Sequence, residues 1–281
     1  GRRRGHAPTL PETRPSLSYF RERSGHENPR PTPESISDFR RSGAWAQLAI
    51  ADQDALTAAL ARLLLRFRAL EPLYVSRSDQ HRYDVALRQV EGACHTDYMW
   101  RASNGLYSDT GLPADLSVRE IYMAESVRWH LDRSAPGTRI VLAAHNNHIQ
   151  KTPLVFDGNL TVLSMGHYLH RMLDDDYLAL AVTSTADHTA EMYLDKDAPD
   201  GFSVADTPLD PPESGSVEAA VVSAGCGLSL ADLRQAPRGT TDSPGLDRIR
   251  TQSTYIHTSV RDAFDAVLTI PTMTIEANIA F

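Results

Sequence analysis

Two histidines three residues apart, His145 and His148, enclose two carboxamides in the run Ala144-His145-Asn146-Asn147-His148. An imidazole titrates near neutral pH, so it can take a proton from water or a hydroxyl and return it to a leaving group. A second imidazole or an amide beside it can orient a carbonyl. The same spacing would suit a metal ion, and both histidines could equally be structural, so spacing alone leaves three readings open. Their placement favours function: Arg139 to Ala144 reads Arg-Ile-Val-Leu-Ala-Ala. This is a short apolar run suited to a buried strand, and α/β sheets present their functional loops beyond the ends of such strands.

The elements around this run follow a helix-then-strand alternation. Ser117 and Glu120 make a Ser-x-x-Glu capping box for a helix whose apolar face is Ile121, Ala124, Val127 and Leu131. Ala135-Pro136-Gly137 stops that helix before the apolar run. Further on, Leu160–Leu163 and Tyr177–Thr183 read as strands around a helix at Gly166–Leu173, and a helix at Val260–Phe264 precedes a last strand, Ala266–Ile270. Upstream, Leu56, Leu60, Leu63, Leu64 and Phe67 recur at helical steps after an Asp52 cap, Glu71-Pro72 ends that helix, and a second runs from about Asp79 to Ala102. The expected fold class is therefore α/β, a mainly parallel β-sheet flanked by helices, with an additional helical segment. Asp195–Ser216 and Ala236–Gly245 read as exposed loops.

A chain of 281 residues, 41% apolar and 23% charged, can bury a sizeable core. The formal charge of -8 argues against nucleic acid, since a phosphate-binding surface normally carries a basic excess. A small-molecule substrate is the better expectation, with a monomer favoured. No stretch is long and apolar enough to cross a membrane. Two scattered thiols, Cys94 and Cys226, need no disulfide framework, which makes a cytoplasmic location the expectation. Residues 1–42, rich in Pro and Arg, read as an arm or loop, and 43–281 as the α/β domain.

Three blocks carry a resemblance beyond these patterns: Tyr122-Met123-Ala124-Glu125-Ser126-Val127-Arg128-Trp129, Val141 through His148, and Ser164-Met165-Gly166-His167-Tyr168-Leu169. In order and spacing they resemble the erythromycin esterase family. The resemblance implies a metal-independent, cofactor-free hydrolase that opens a lactone or ester by His-assisted attack of water, as in the opening of macrolides. It places a family active-site histidine on His145, the first choice for the general base, with His148 beside it. His148 and Asn146 would position the carbonyl or the developing oxyanion, and Asn147 is a further candidate substrate-binding residue. Glu125, Arg128 and His167 fall in the matched blocks as candidate substrate-binding residues, although Glu125 and Arg128 also read as a helix-surface ion pair. The family's Gly-Glu-x-x-His-Gly type motif is not found, so the domain is expected to be incomplete at its N-terminal side. A lyase or cyclase using the same histidines, or a non-catalytic binding homologue, are the alternatives.

Overall fold

The structure is a computed structural model that describes residues 45, 47–107, 111–156, 159–194, 202–235 and 245–274. The arm read at 1–42 lies outside the described residues.

Helices form the first half: α1 (Ile50–Ala69), α2 (Glu71–Arg77), α3 (Gln80–Tyr107) and, after a 3-10 turn at Pro113–Leu116, α4 (Ser117–Asp132). The apolar stripe of α1 turns Leu60, Leu64 and Phe67 towards α3 and leaves Leu56 and Leu63 exposed. Its expected Asp52 cap is instead inside the first turn, because Ala49 holds the cap position. Pro72, expected as a stop, starts α2, where its missing N–H costs nothing. The helices pack in succession, α1 on α3, α3 on α4, and α4 on α6 (Met165–Leu173).

Among the described residues, the second half holds four small sheets. Strands β1 (Leu154–Phe156) and β2 (Asn159–Val162) pair antiparallel, as do β4 (His188–Leu194) with β5 (Phe202–Pro208), and β7 (Arg248–Thr251) with β8 (Thr254–His257). The three-stranded sheet has the order β3-β9-β6, with β3 (Leu180–Ser184) parallel to β9 (Ala266–Ile270) and β6 (Ser229–Asp232) antiparallel to it. The sheet content is therefore mixed rather than mainly parallel. Three antiparallel strand pairs and the antiparallel β6 account for the difference; strand β5 also occupies residues 202–208 of the expected 195–216 loop. Residues 236–244 of the other expected loop lie outside the described set.

The run Ile140–Ala144 corrects the sequence reading most sharply. It joins no ladder, and Val141 is 97% exposed. Its backbone finds no neighbouring strand among the described residues, so its apolar composition is not converted into burial. Strand β3 is likewise half-buried rather than buried, with Leu180 and Val182 outward and Ala181 and Thr183 inward. The core lies between α4, α6, β3 and β9, around Ala124, Leu169, Ala181, Phe264 and Val267, with α7 (Val217–Ser223) and α8 (Val260–Ala263) adding Val217, Val260 and Ala263 to it.

Candidate functional site

The histidine run forms a one-turn helix, α5 (Asn146–Ile149), with His145 as its N-cap. Histidine is not among the usual capping residues, and it caps only through a ring nitrogen that carries no proton. Here Nδ1 of His145 accepts the Asn147 N–H at 3.3 Å, and Nε2 lies 3.0 Å from the Thr251 hydroxyl. By surface area His145 is exposed, yet the protein around it removes much of its solvation. Burial, followed by the neighbouring His148, pushes its pKa below the ordinary histidine value, against a smaller opposing pull from Glu191. The ring is therefore held neutral to lower pH than a free imidazole.

Asn146 turns its amide towards strand β3. Its Nδ2 donates to the Val182 carbonyl at 2.8 Å and its Oδ1 accepts the Val182 N–H at 3.2 Å. The amide thus stands in for a neighbouring strand on the free edge of β3, holding the histidine turn against the sheet. Each amide atom makes one bond to the strand, which gives Asn146 a clamping role and leaves one Nδ2 hydrogen outside this pairing.

His148 meets a residue the sequence presented only as a cap. Nδ1 of His148 lies 2.9 Å from Oε2 of Glu120, which is 4% exposed and also accepts the Met165 N–H at 2.9 Å. The capping box does not form: α4 begins at Ser117, and the Ser117 hydroxyl accepts the Leu163 N–H. A single oxygen of Glu120, Oε2, takes both bonds and so ties α4 to α6 and to the histidine turn. A carboxylate placed this way fixes the tautomer of an imidazole.

Of the other expected site residues, Glu125 pairs with Arg88 of α3 at 3.5 Å, and Arg128 with Asp132 at 2.8 Å on the helix surface. The helix-surface reading thus holds for Arg128, although Glu125 is not its partner. His167 bonds the Lys151 carbonyl through Nδ1 at 3.1 Å. Asn147 contributes the backbone N–H to His145. The structure gathers His145 and Asn146 at one cleft, and Asn147, His148, Glu125, Arg128 and His167 are not on its walls.

This cleft is half-open, about 300 Å³, and lies where the parallel strands β3 and β9 end, at Ser184 and Ile270, the position where α/β sheets bind ligands. Leu180, Val182, Leu209 and Ile270 make its apolar walls, while Thr183, Ser184, Thr189 and Thr251 supply hydroxyls. Behind them, buried Glu218 accepts the Arg250 N–H at 3.0 Å and the Thr183 hydroxyl, which anchors strand β7 against β3. The β7–β8 hairpin bearing Thr251 went unread in the sequence; its signal was two four-residue runs, Arg-Ile-Arg-Thr and Thr-Tyr-Ile-His, around Gln252-Ser253. Gln252 sits at φ +53, and the tip is tied to β4, with Gln252 Nε2 on the Ala190 carbonyl and Ser253 N–H on Glu191.

Helices packed on small mixed sheets, with a histidine-bearing turn at the end of a parallel strand pair, define a mixed α/β protein with an imidazole cleft. The chain belongs to the erythromycin esterase family, whose family model matches residues 16–273. It is similar to erythromycin esterase type II of Escherichia coli, 36% identical over 217 residues, covering 76% of this chain and 51% of that protein. Type I from the same organism is 34% identical over 231 residues, covering 82% and 55%. The chain thus spans about half the length of the curated relatives it matches. Among solved structures, a histidine-to-asparagine mutant of an erythromycin esterase in its open conformation superposes with a TM-score of 0.77 at 31% identity, covering 87% of this chain and 59% of that one. A Bacillus cereus protein at 13% identity, TM-score 0.58, covering 85% and 58%, shares the fold. No helix among the described residues is long and apolar enough to cross a membrane.

Proposed function

We infer that this chain is part of a carboxylic ester or lactone hydrolase of the erythromycin esterase type, in which His145 assists the attack of water without a metal ion. The observation that carries this reading is the neutral imidazole of His145 at the wall of a cleft bounded by apolar side chains and hydroxyls, within a chain of this family. Ester and lactone opening needs a carbonyl held still, a water, and a group that moves or polarises charge at neutral pH. The apolar walls suit a substrate that presents more hydrocarbon than charge, as a macrolide does.

The test is a screen of lactones and simple esters with the natively expressed protein and its His145→Ala variant, in the presence and absence of a chelator. Loss of hydrolysis in the variant, with turnover indifferent to chelation, is the expected result. Dehydrated or cyclised products in place of the acid and alcohol would instead identify a lyase or cyclase. Turnover that survives His145→Ala would remove this histidine from the reaction.

A further inference from the structure

One stretch of the cleft wall is held in place by a single side chain. Strand β9 keeps its pairing with β3 as far as Ile270, whose carbonyl accepts the Thr185 N–H at 3.0 Å. Pro271 then brings no N–H, and of residues 271–274 only Met273 is half-buried, where it lines the cleft together with Ile270. Among the described residues, a single hydrogen bond reaches 271–274: Nε2 of His188 stands 3.0 Å from the Met273 carbonyl oxygen. The other ring nitrogen, Nδ1, stands 2.8 Å from Oδ1 of Asp187. His188 has a fixed base, at the start of β4 opposite Pro208, with the Leu209 N–H bonded to the Asp187 carbonyl at 2.7 Å. Both ring nitrogens therefore face oxygens that can only accept. A neutral imidazole has one N–H and serves one of them, whereas an imidazolium serves both.

We propose that His188 is the positioning residue for the Met273 wall of the cleft and holds it only as an imidazolium, so that deprotonating this one ring frees residues 271–274. The charged Asp187 oxygen is the stronger acceptor, so the proton that remains in the neutral ring stays on Nδ1. Nε2 then turns a lone pair to the Met273 carbonyl, and that bond gives way to water. The titratable groups facing the ring are Asp187, just ahead of its own strand, and Asp206 on β5; the segment after β9 brings the carbonyl alone. The hydrogen bond from Asp187 foremost, with Asp206 and the Met273 carbonyl behind it, raises the His188 pKa against partial desolvation. The latch is therefore fully set below the ordinary histidine value of about 6.5 and is lost as pH rises through the raised folded value. The cleft keeps this wall in mildly acidic solution and loses it in alkaline solution.

The experiment follows the ring and the methionine methyl together. Protein labelled with ¹⁵N at histidine and ¹³C at the methionine methyls is titrated by NMR from about pH 5 to about pH 9. A His145→Gln background removes the other titrating ring on the cleft wall, and His188→Ala and Met273→Leu supply the assignments. The expected result is one midpoint, above about 6.5, shared by the His188 nitrogens and the Met273 methyl, with both ring nitrogens protonated below it. In His188→Ala the Met273 methyl should stay at its high-pH position throughout, and Asp187→Asn should lower the shared midpoint. A Met273 methyl indifferent to pH, or one that titrates alike without His188, overturns the proposal, as does a His188 midpoint unmoved by Asp187→Asn. Both signals are read without substrate, so either outcome leaves the hydrolase reading to the ester screen.

Discussion

Replacing Asn146 by Asp changes one atom of the amide and tests whether this side chain substitutes for a strand. In the native protein Nδ2 donates to the Val182 carbonyl at 2.8 Å and Oδ1 accepts its N–H at 3.2 Å, and Asn146 is 8% exposed. An ionised Asp keeps the second bond and points a charged oxygen at the carbonyl, so the donor bond is lost and two acceptors face each other. Losing a bond of this kind costs about 0.5–1.5 kcal/mol, and leaving the carbonyl unsatisfied adds roughly 1–3 kcal/mol. A total near 2–4 kcal/mol is expected at neutral pH. A protonated Asp would restore both bonds, so the folded protein must raise this carboxyl above its unfolded value near 3.9. The folded state then binds the extra proton, and stability is fully present below the unfolded value and lost as pH rises through the folded one. Urea unfolding of the variant and parent at several pH values, both in a His145→Gln background so that the ring's own titration does not enter, measures the difference. A penalty that is the same at every pH, or one below about 0.5 kcal/mol at neutral pH, would refute the clamp.

Gly166→Ala should be among the most destabilising small substitutions, because an added Cβ would lie 2.1 Å from the Ile149 oxygen and 2.6 Å from the Gln150 oxygen, both backbone atoms at the end of α5. Overpacking of this kind costs about 1–3 kcal/mol or more, and thermal melts with and without the substitution would register it. Glu120→Ala removes the acceptor of the buried Met165 N–H and of the half-buried His148 ring, and a loss of roughly 1–3 kcal/mol is expected by chemical denaturation; Glu120→Gln, which keeps a carbonyl acceptor, should lose less. His145 has its pKa lowered by burial, so the unfolded chain binds the proton more readily. The stability it contributes is present above about 6.5 and is lost as pH falls towards the lowered folded value. His145→Gln should therefore flatten the acid side of the stability profile, and a profile unchanged by the substitution would contradict the desolvation argument.

Local periodicity made the helices and the last strand legible, since Gln80–Tyr107, Met165–Leu173 and Ala266–Ile270 form close to where the pattern placed them. It failed where an element depends on a distant partner. Ile140–Ala144 has the composition of a buried strand, but burial requires a neighbour that a local pattern cannot supply, and Val141 remains in solvent. The capping box failed for the opposite reason. Ser117 and Glu120 can satisfy each other's backbone only if nothing better is near, and here Leu163 N–H, Met165 N–H and His148 offer tertiary partners from more than 25 residues away. Charge-assisted bonds in the interior outweigh a cap that water can replace at a surface helix end.

The two histidines show what residue type and spacing leave unread. At sequence level His145 and His148 are equivalent imidazoles on one turn, and the amides between them look like free donors for a substrate. What distinguishes them is what each meets across the fold: a backbone N–H and a hydroxyl for one ring, a buried carboxylate for the other, and a strand edge for Asn146. The partners come from 28 and 106 positions away, on a helix laid down before the turn and on a hairpin formed near the end of the chain. The hairpin reaches His145 only because Glu218 ties β7 to β3 and Glu191 and the Ala190 carbonyl hold its tip. Holding Gln252 in the left-handed region costs of order 1–3 kcal/mol, which those tip contacts offset. Substitutions in this second ring of residues should therefore alter the orientation of His145 without touching any ligand, and they should be visible in the ring's nitrogen resonances before any change in binding.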